Sequence, residues 1–278
     1  MEQQRVLPTH IRPDRGLAHV DWRELWEYRE LLFILIWRDI KVRYKQTLLG
    51  AAWAILQPLG AMVVFTFFLG KLARVPSDGL PYPIFAYSGL LMWQFFSRAL
   101  TEASVSLVVN ERVISKVYFP RLLVPSSVVL AGWLDFAIAF ALLLGMMAVY
   151  GMGISWTVVL APLFLILATA VALGVSFWLS AFDVKYRDVR YTLPFLTQIW
   201  LFATPVVYPS SLVPTWLRPW YGLNPMVGVV EGFRWSLLGV PGSPDFAMIG
   251  VSIAVIAVVL FGGLIYFRTM ERMLADLI

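Results

Sequence analysis

The sequence has no cysteine, two histidines and few charges. Without thiols it can have no disulfide framework, thiol nucleophile or thiolate metal site. His10 and His19 both precede the apolar part of the chain, so no Ser–His dyad or imidazole metal site is expected there. Charged residues make up 14% of the 278 and hydrophobic ones 60%. A soluble domain needs roughly 25% charged residues to cover its surface, and the mean hydropathy here is +0.76. Lipid has to be the solvent for much of this chain. A phosphate loop is also missing: at Gly70-Lys71, Phe65 stands at the first glycine position and Leu72 at the Ser/Thr position. ATP hydrolysis by this chain is not expected, and neither is acid–base catalysis, because neither Glu102 nor Asp135 has a second carboxylate close by in sequence.

A helix needs about 20 apolar residues to cross the hydrocarbon. Segments 48–70, 82–107, 122–150, 156–182 and 246–267 meet that requirement, and 193–208 is short but nearly free of charge. Counting it predicts an all-α polytopic membrane protein with six transmembrane helices. No cleavable signal peptide is evident, so the first span is expected to act as its own insertion signal. Lys and Arg number nine before residue 48, three in 110–121, three in 183–190 and two after Phe267. The other face has Lys71, Arg74, Arg218 and Arg234. This bias places both termini in the cytoplasm and explains the excess of +5 without any nucleic-acid partner.

Residues 1–20 read as a loose tail and 21–47 as an amphipathic interfacial helix, its apolar positions recurring from Trp22 to Tyr44 and Asp21 with Glu24 forming a capping box. The helix is too charged to cross and should lie flat at the cytoplasmic interface. Prolines 205, 209, 214, 219 and 225 rule out one long helix between spans five and six. Two short re-entrant outer helices within 211–238, about 211–217 and 225–238, reconcile them with the persisting apolar residues. Irregular backbone at that depth must pack on protein or line water.

Four local patterns carry candidate chemistry. Arg38, Lys41, Arg43 and Lys45 stand directly before the first span; they read as an orientation signal, a partner seat or an attractor for an anionic cargo. In the linker "NERVISKVYFPR", Glu111, Arg112, Ser115, Lys116 and Tyr118 form either an ordinary amphipathic connector or a coupling surface for a soluble motor. Arg98 and Glu102 are four apart on one helix face, and Asp135 lies inside span three. Charges at the bilayer centre cost roughly 2.5–3.5 kcal/mol each on translocon scales. An Arg98–Asp135 clasp between helices, or a role in cargo passage, would justify them. Trp93, Phe96, Trp200 and Phe202 lie within spans and are either packing residues or a sugar-stacking channel wall.

The blocks "RYKQTLLGAAWAILQP", "SKVYFPRLLVPSSVVLAGWLDF", "YRDVRYTLPFLTQIWLFATPVVYP" and "LNPMVGVVEGFR" resemble, in order, the permease subunits of ABC exporters for O-antigen and teichoic-acid polysaccharides. The resemblance covers about residues 25–270. It implies a homodimer of six-span permeases in the bacterial inner membrane, bound to two separate nucleotide-binding subunits that hold ATP and Mg. It also implies that the interfacial helix and the 110–120 linker contact those subunits, that 211–238 forms an outer gate, and that the cargo is a glycan on undecaprenyl diphosphate. On that reading the Arg38–Lys45 cluster is where the diphosphate arrives. Capsule and teichoic-acid export, drug or lipid export by a related transporter, a passive channel, and a membrane glycosyltransferase of envelope assembly are the alternatives.

Overall fold

The computed structural model describes residues 22–45, 50, 52–153, 155–239 and 244–277. Residues 1–21 and 46–49 lie outside these, and with them the expected tail and Asp21 of the capping box. Among the described residues the fold is entirely helical. The chain opens with α1 (Trp22–Glu27) and α2 (Arg29–Lys45), followed by α3 (Ala52–Phe65), which continues as a π-helical stretch over Thr66–Leu72. Next come α4 (Tyr82–Ser104), the one-turn α5 (Ser106–Val109) and α6 (Glu111–Ile114), and α7 (Leu123–Val149). A 3₁₀ turn (Trp156–Leu160) leads into α8 (Ala161–Lys185), then α9 (Val189–Phe202), α10 (Arg218–Tyr221), α11 (Pro225–Leu238) and α12 (Phe246–Leu277).

Four of these stretches are long and apolar enough to cross a bilayer: Ala52–Leu72, Leu123–Val149, Trp156–Lys185 and Phe246–Glu271. They coincide with four of the six expected spans. The other two expected spans, 82–107 and 193–208, do not meet that standard, for different physical reasons. α4 is the centre of the packing, with sixteen of its twenty-three residues buried. A helix packed mostly against protein is free to carry Ser88, Gln94, Arg98 and Glu102, the first of them buried and the other three lining a cavity. α9 has 14 residues, or about 21 Å at 1.5 Å per residue, and then the chain leaves helical geometry through 203–209. The outer region also differs from the expected pair of helices. The second forms as Pro225–Leu238, but 211–217 holds only a 3₁₀ turn at Ser210–Leu212 before α10.

Helices α8 and α12 make the tightest pairing. Cβ atoms added at Gly263 and Gly174 would strike, respectively, the Gly174 carbonyl and, at 2.8 Å, Leu260 Cα. Small residues that let backbones touch are the usual means of association where lipid removes the hydrophobic drive between helices. α2 runs alongside the first turns of α7. Asp39 accepts from Ser127, near the start of α7, and Arg43 reaches Asp135 two turns further along. The helix therefore climbs beside α7, carrying its charged C-terminal end into the helix bundle.

Candidate functional site

The climb of α2 creates the site. Arg43 Nη1 pairs with Asp135 on α7, and its Nη2 pairs with Glu102 on α4. Arg98 Nε bonds Glu102 at 2.8 Å, and Arg98 Nη1 lies 3.4 Å from Asp135. Two guanidiniums and two carboxylates thus alternate in a closed ring contributed by three helices. The Tyr44 hydroxyl donates to the remaining oxygen of Asp135; burial, and then that hydrogen bond, raise the pKa of Tyr44 and keep it a neutral donor. The ring is electrically neutral, which is how charges become tolerable away from bulk water.

Beside the ring lies a cavity of about 510 Å³ walled by α3, α4, α7 and α9. Arg43, Arg98, Glu102 and Asp135 line one part of it, and Gln57, Gln94, Thr101 and Thr197 add uncharged donors and acceptors. Phe95 and Phe136 supply apolar faces. Such a lining suits a polyhydroxylated or anionic guest. It supplies no group of three or more metal ligands among the described residues.

The structure gives the four cations before the first span different fates. Arg43 is turned inward, and Arg38 pairs with its neighbour Asp39 at 2.7 Å. Lys41 and Lys45 are exposed, with Lys41 Nζ 5.4 Å from the Trp37 ring centre. The expected clasp between Arg98 and Asp135 is present, and Arg43, one of the four cations before the first span, joins it. Of the aromatic set, Trp93 and Phe96 each meet Trp200 edge-on and tilt against each other, with centroids 5.0–6.3 Å apart. Phe202 stands apart and exposed.

At the inner end, Glu111, Arg112, Ser115, Lys116 and Tyr118 all face outward, and Ile114 alone anchors the turn of α6. Behind this surface runs a chain of charges absent from the sequence reading. Arg121 donates its backbone N–H and its Nη1 to Glu271, Arg268 bonds Glu271 at 3.0 Å, and Arg268 Nη2 lies 3.8 Å from Glu24 of α1. The end of α12 therefore ties α1 to the linker. Its only sequence signal is the i,i+3 pair Arg268 and Glu271, which looks like any solvated helix end. Gln57, Gln94, Thr101 and Thr197 were equally silent, because single uncharged polar residues in apolar helices carry no spacing.

Comparison with known proteins adds the following. Residues 30–238 match the ABC-2 type transporter family. The chain is 32% identical to the O-antigen export system permease protein RfbA of Myxococcus xanthus over 215 residues, which is 76% of this chain and 82% of the relative. A protein of the same name from Klebsiella pneumoniae is 26% identical over 254 residues, 90% of this chain and 95% of its own length. The polysialic acid transport protein KpsM of Escherichia coli is 25% identical over 252 residues, covering 87% and 93% respectively.

Proposed function

Because the chain belongs to the ABC-2 type transporter family, we propose that it is the membrane-spanning permease of an ATP-driven polysaccharide exporter, with lipid-linked O-antigen as the cargo. The observation that carries this reading is the likeness to an O-antigen export permease over 82% of that protein's length. The polar cavity beside the Arg43–Glu102–Arg98–Asp135 ring supports it. Capsular polymer is the second reading, favoured by the 25% identity to the polysialic acid transport protein.

On this reading α4 is a span shielded by its neighbours, and α9 with the 203–208 segment is the remaining one, so six spans place both termini in the cytoplasm of a bacterium. Two copies enclose the path. Two separate nucleotide-binding subunits hold ATP and Mg and dock on the exposed linker residues Glu111, Arg112, Ser115, Lys116 and Tyr118. Their closure moves the linker, and the Arg121–Glu271–Arg268–Glu24 chain carries that displacement to α1 and α2. The diphosphate of the carrier lipid meets Lys41 and Lys45 first, where each cation near an anionic surface contributes about 1 kcal/mol. Arg43 and Arg98 lie inside with carboxylate partners that a diphosphate would displace. No covalent step falls to this chain.

Deletion of the gene is the test. Undecaprenyl-linked polymer accumulating on the cytoplasmic side supports the permease, whereas a cell that never makes polymer supports a synthase. Affinity purification of the tagged chain in mild detergent should bring down a Walker-motif ATPase, and a lone chain with undiminished transport removes the reading.

A further inference from the structure

Arg234 is the largest fully buried side chain among the described residues, with 2% of its surface exposed. Its place in "VVEGFRW", amid apolar residues, serves none of the roles described so far. Arg234 Nη1 donates to Pro205 O at 3.1 Å and Glu231 Oε1 at 2.8 Å, and Nη2 to Val206 O at 3.0 Å and Phe85 O at 3.3 Å. Arg234 Nε reaches Ser88 Oγ at 3.5 Å, and the guanidinium carbon sits 3.8 Å from the centre of the Phe85 ring.

These partners belong to three different parts of the chain. Glu231 is on α11 with Arg234, Phe85 and Ser88 are on α4, and Pro205 and Val206 lie in the non-helical stretch after α9. Residues 204–207 of that stretch are buried, with Thr204 and Val206 fully so, and a buried carbonyl without a donor costs about 1–3 kcal/mol. Every carbonyl from Ala203 to Val207 has a donor. Asn224 Nδ2 serves Ala203, the Val206 N–H serves Thr204, Arg234 serves Pro205 and Val206, and the Tyr82 hydroxyl serves Val207. The guanidinium therefore stands where water would otherwise have to be. Gly89 on α4 completes the arrangement: a Cβ there would collide with the Val206 carbonyl and with Arg234 Nη2.

We propose that Arg234 is the positioning residue that holds the closed state of the outer end, latching the 203–207 stretch onto the first turns of α4. The bonds it makes to that stretch are side chain to backbone. They can be exchanged for water or for the hydroxyls of a passing chain without breaking any helix. Lysine cannot replace it, because a single ammonium has no planar fork to span Phe85 on one side and Pro205 and Val206 on the other.

The natural absence of cysteine makes the test free of background. Val206→Cys and, as a distant control, Ala172→Cys are both fully buried positions. Each is introduced singly into the full-length protein with its ATPase partner, and labelling by a membrane-impermeant maleimide is followed from the outside in spheroplasts. Arg234→Lys should raise the resting labelling rate of Val206→Cys by about tenfold, equivalent to about 1.4 kcal/mol of lost closure, and leave Ala172→Cys protected. Gly89→Ala, which retains the arginine but forces it and the Val206 carbonyl apart from α4, should do the same. With Arg234 intact, labelling of Val206→Cys should rise during ATP-driven export. Resting rates unchanged in both variants would overturn the latch, as would equal exposure of Ala172→Cys in both, which would make the role purely structural. Continuing export with Val206→Cys still protected would overturn it too. The two resting measurements need no cargo, so they stand or fall separately from the proposed function.

Discussion

Neutralising one member of the four-charge ring should harm the protein more than neutralising two adjacent, oppositely charged members. The Arg43 and Asp135 side chains are 12% and 13% exposed, so water does little to rescue whichever is left behind. At an effective dielectric constant of about 20, a close pair attracts by about 4 kcal/mol. Removing one partner of a buried pair costs about 3–5 kcal/mol, while replacing both by apolar groups is far milder. Asp135→Leu alone leaves Arg43 and Arg98 competing for Glu102, and Arg43→Met alone leaves two carboxylates facing Arg98. Each should cost about 3 kcal/mol, and the double variant about 2 kcal/mol, a coupling of about 4 kcal/mol. The Arg98–Glu102 pair provides the internal standard. It is an i,i+4 pair with both side chains 36% exposed, for which a coupling of about 0.5 kcal/mol is expected. Equilibrium unfolding in mixed micelles, with the denaturing detergent titrated, measures both cycles. A coupling across Arg43 and Asp135 no larger than that across Arg98 and Glu102 would refute the ring as a cooperative unit, and so would a double variant less stable than either single one.

Lys41→Gln combined with Lys45→Gln leaves the ring untouched. If the carrier diphosphate arrives there, loss of about 2 kcal/mol of attraction should cut export at low substrate about thirtyfold; unchanged export with normal ATPase assembly would remove these lysines from the path. Gly263→Ala should lower stability by about 1–3 kcal/mol through overpacking, because the new methyl meets the Gly174 carbonyl; a thermal melt of the purified complex reports it, and an unshifted Tm would mean that α8 and α12 are not in backbone contact. Arg268→Ala breaks the connection between Glu24 and Glu271. In the intact complex it should preserve ATP hydrolysis while reducing export several-fold, and an equal fall in both would show that the end of α12 carries no coupling.

Hydrophobicity was legible without coordinates wherever a helix faces lipid. The stretches at Ala52–Leu72, Leu123–Val149, Trp156–Lys185 and Phe246–Glu271 announce themselves, since lipid contact demands an unbroken apolar run. α4 was legible in extent but not in position, because nothing in its composition says that it sits at the centre. The same central position lets its Glu102 meet Arg43, 59 residues away on α2, and its Arg98 meet Asp135 on α7, only through the packing of those helices. The 193–208 segment was legible as apolar, but not that its helix stops at Phe202, where proline geometry at Pro205 outweighs apolar composition.

Composition alone determined that lipid is the solvent for much of this chain and that disulfide and thiol chemistry are outside its means. Those conclusions depend on sums over residues, which survive any rearrangement of the helices. Tertiary structure alone decided that Arg43 turns inward to Glu102 and Asp135, that the end of α12 bridges α1 and the linker, and that Arg234 caps a broken strip of backbone. Each of these depends on which distant charge or carbonyl lies within about 3 Å of a donor, and hydrogen bonds at that range are fixed by how helices pack rather than by how their residues are spaced.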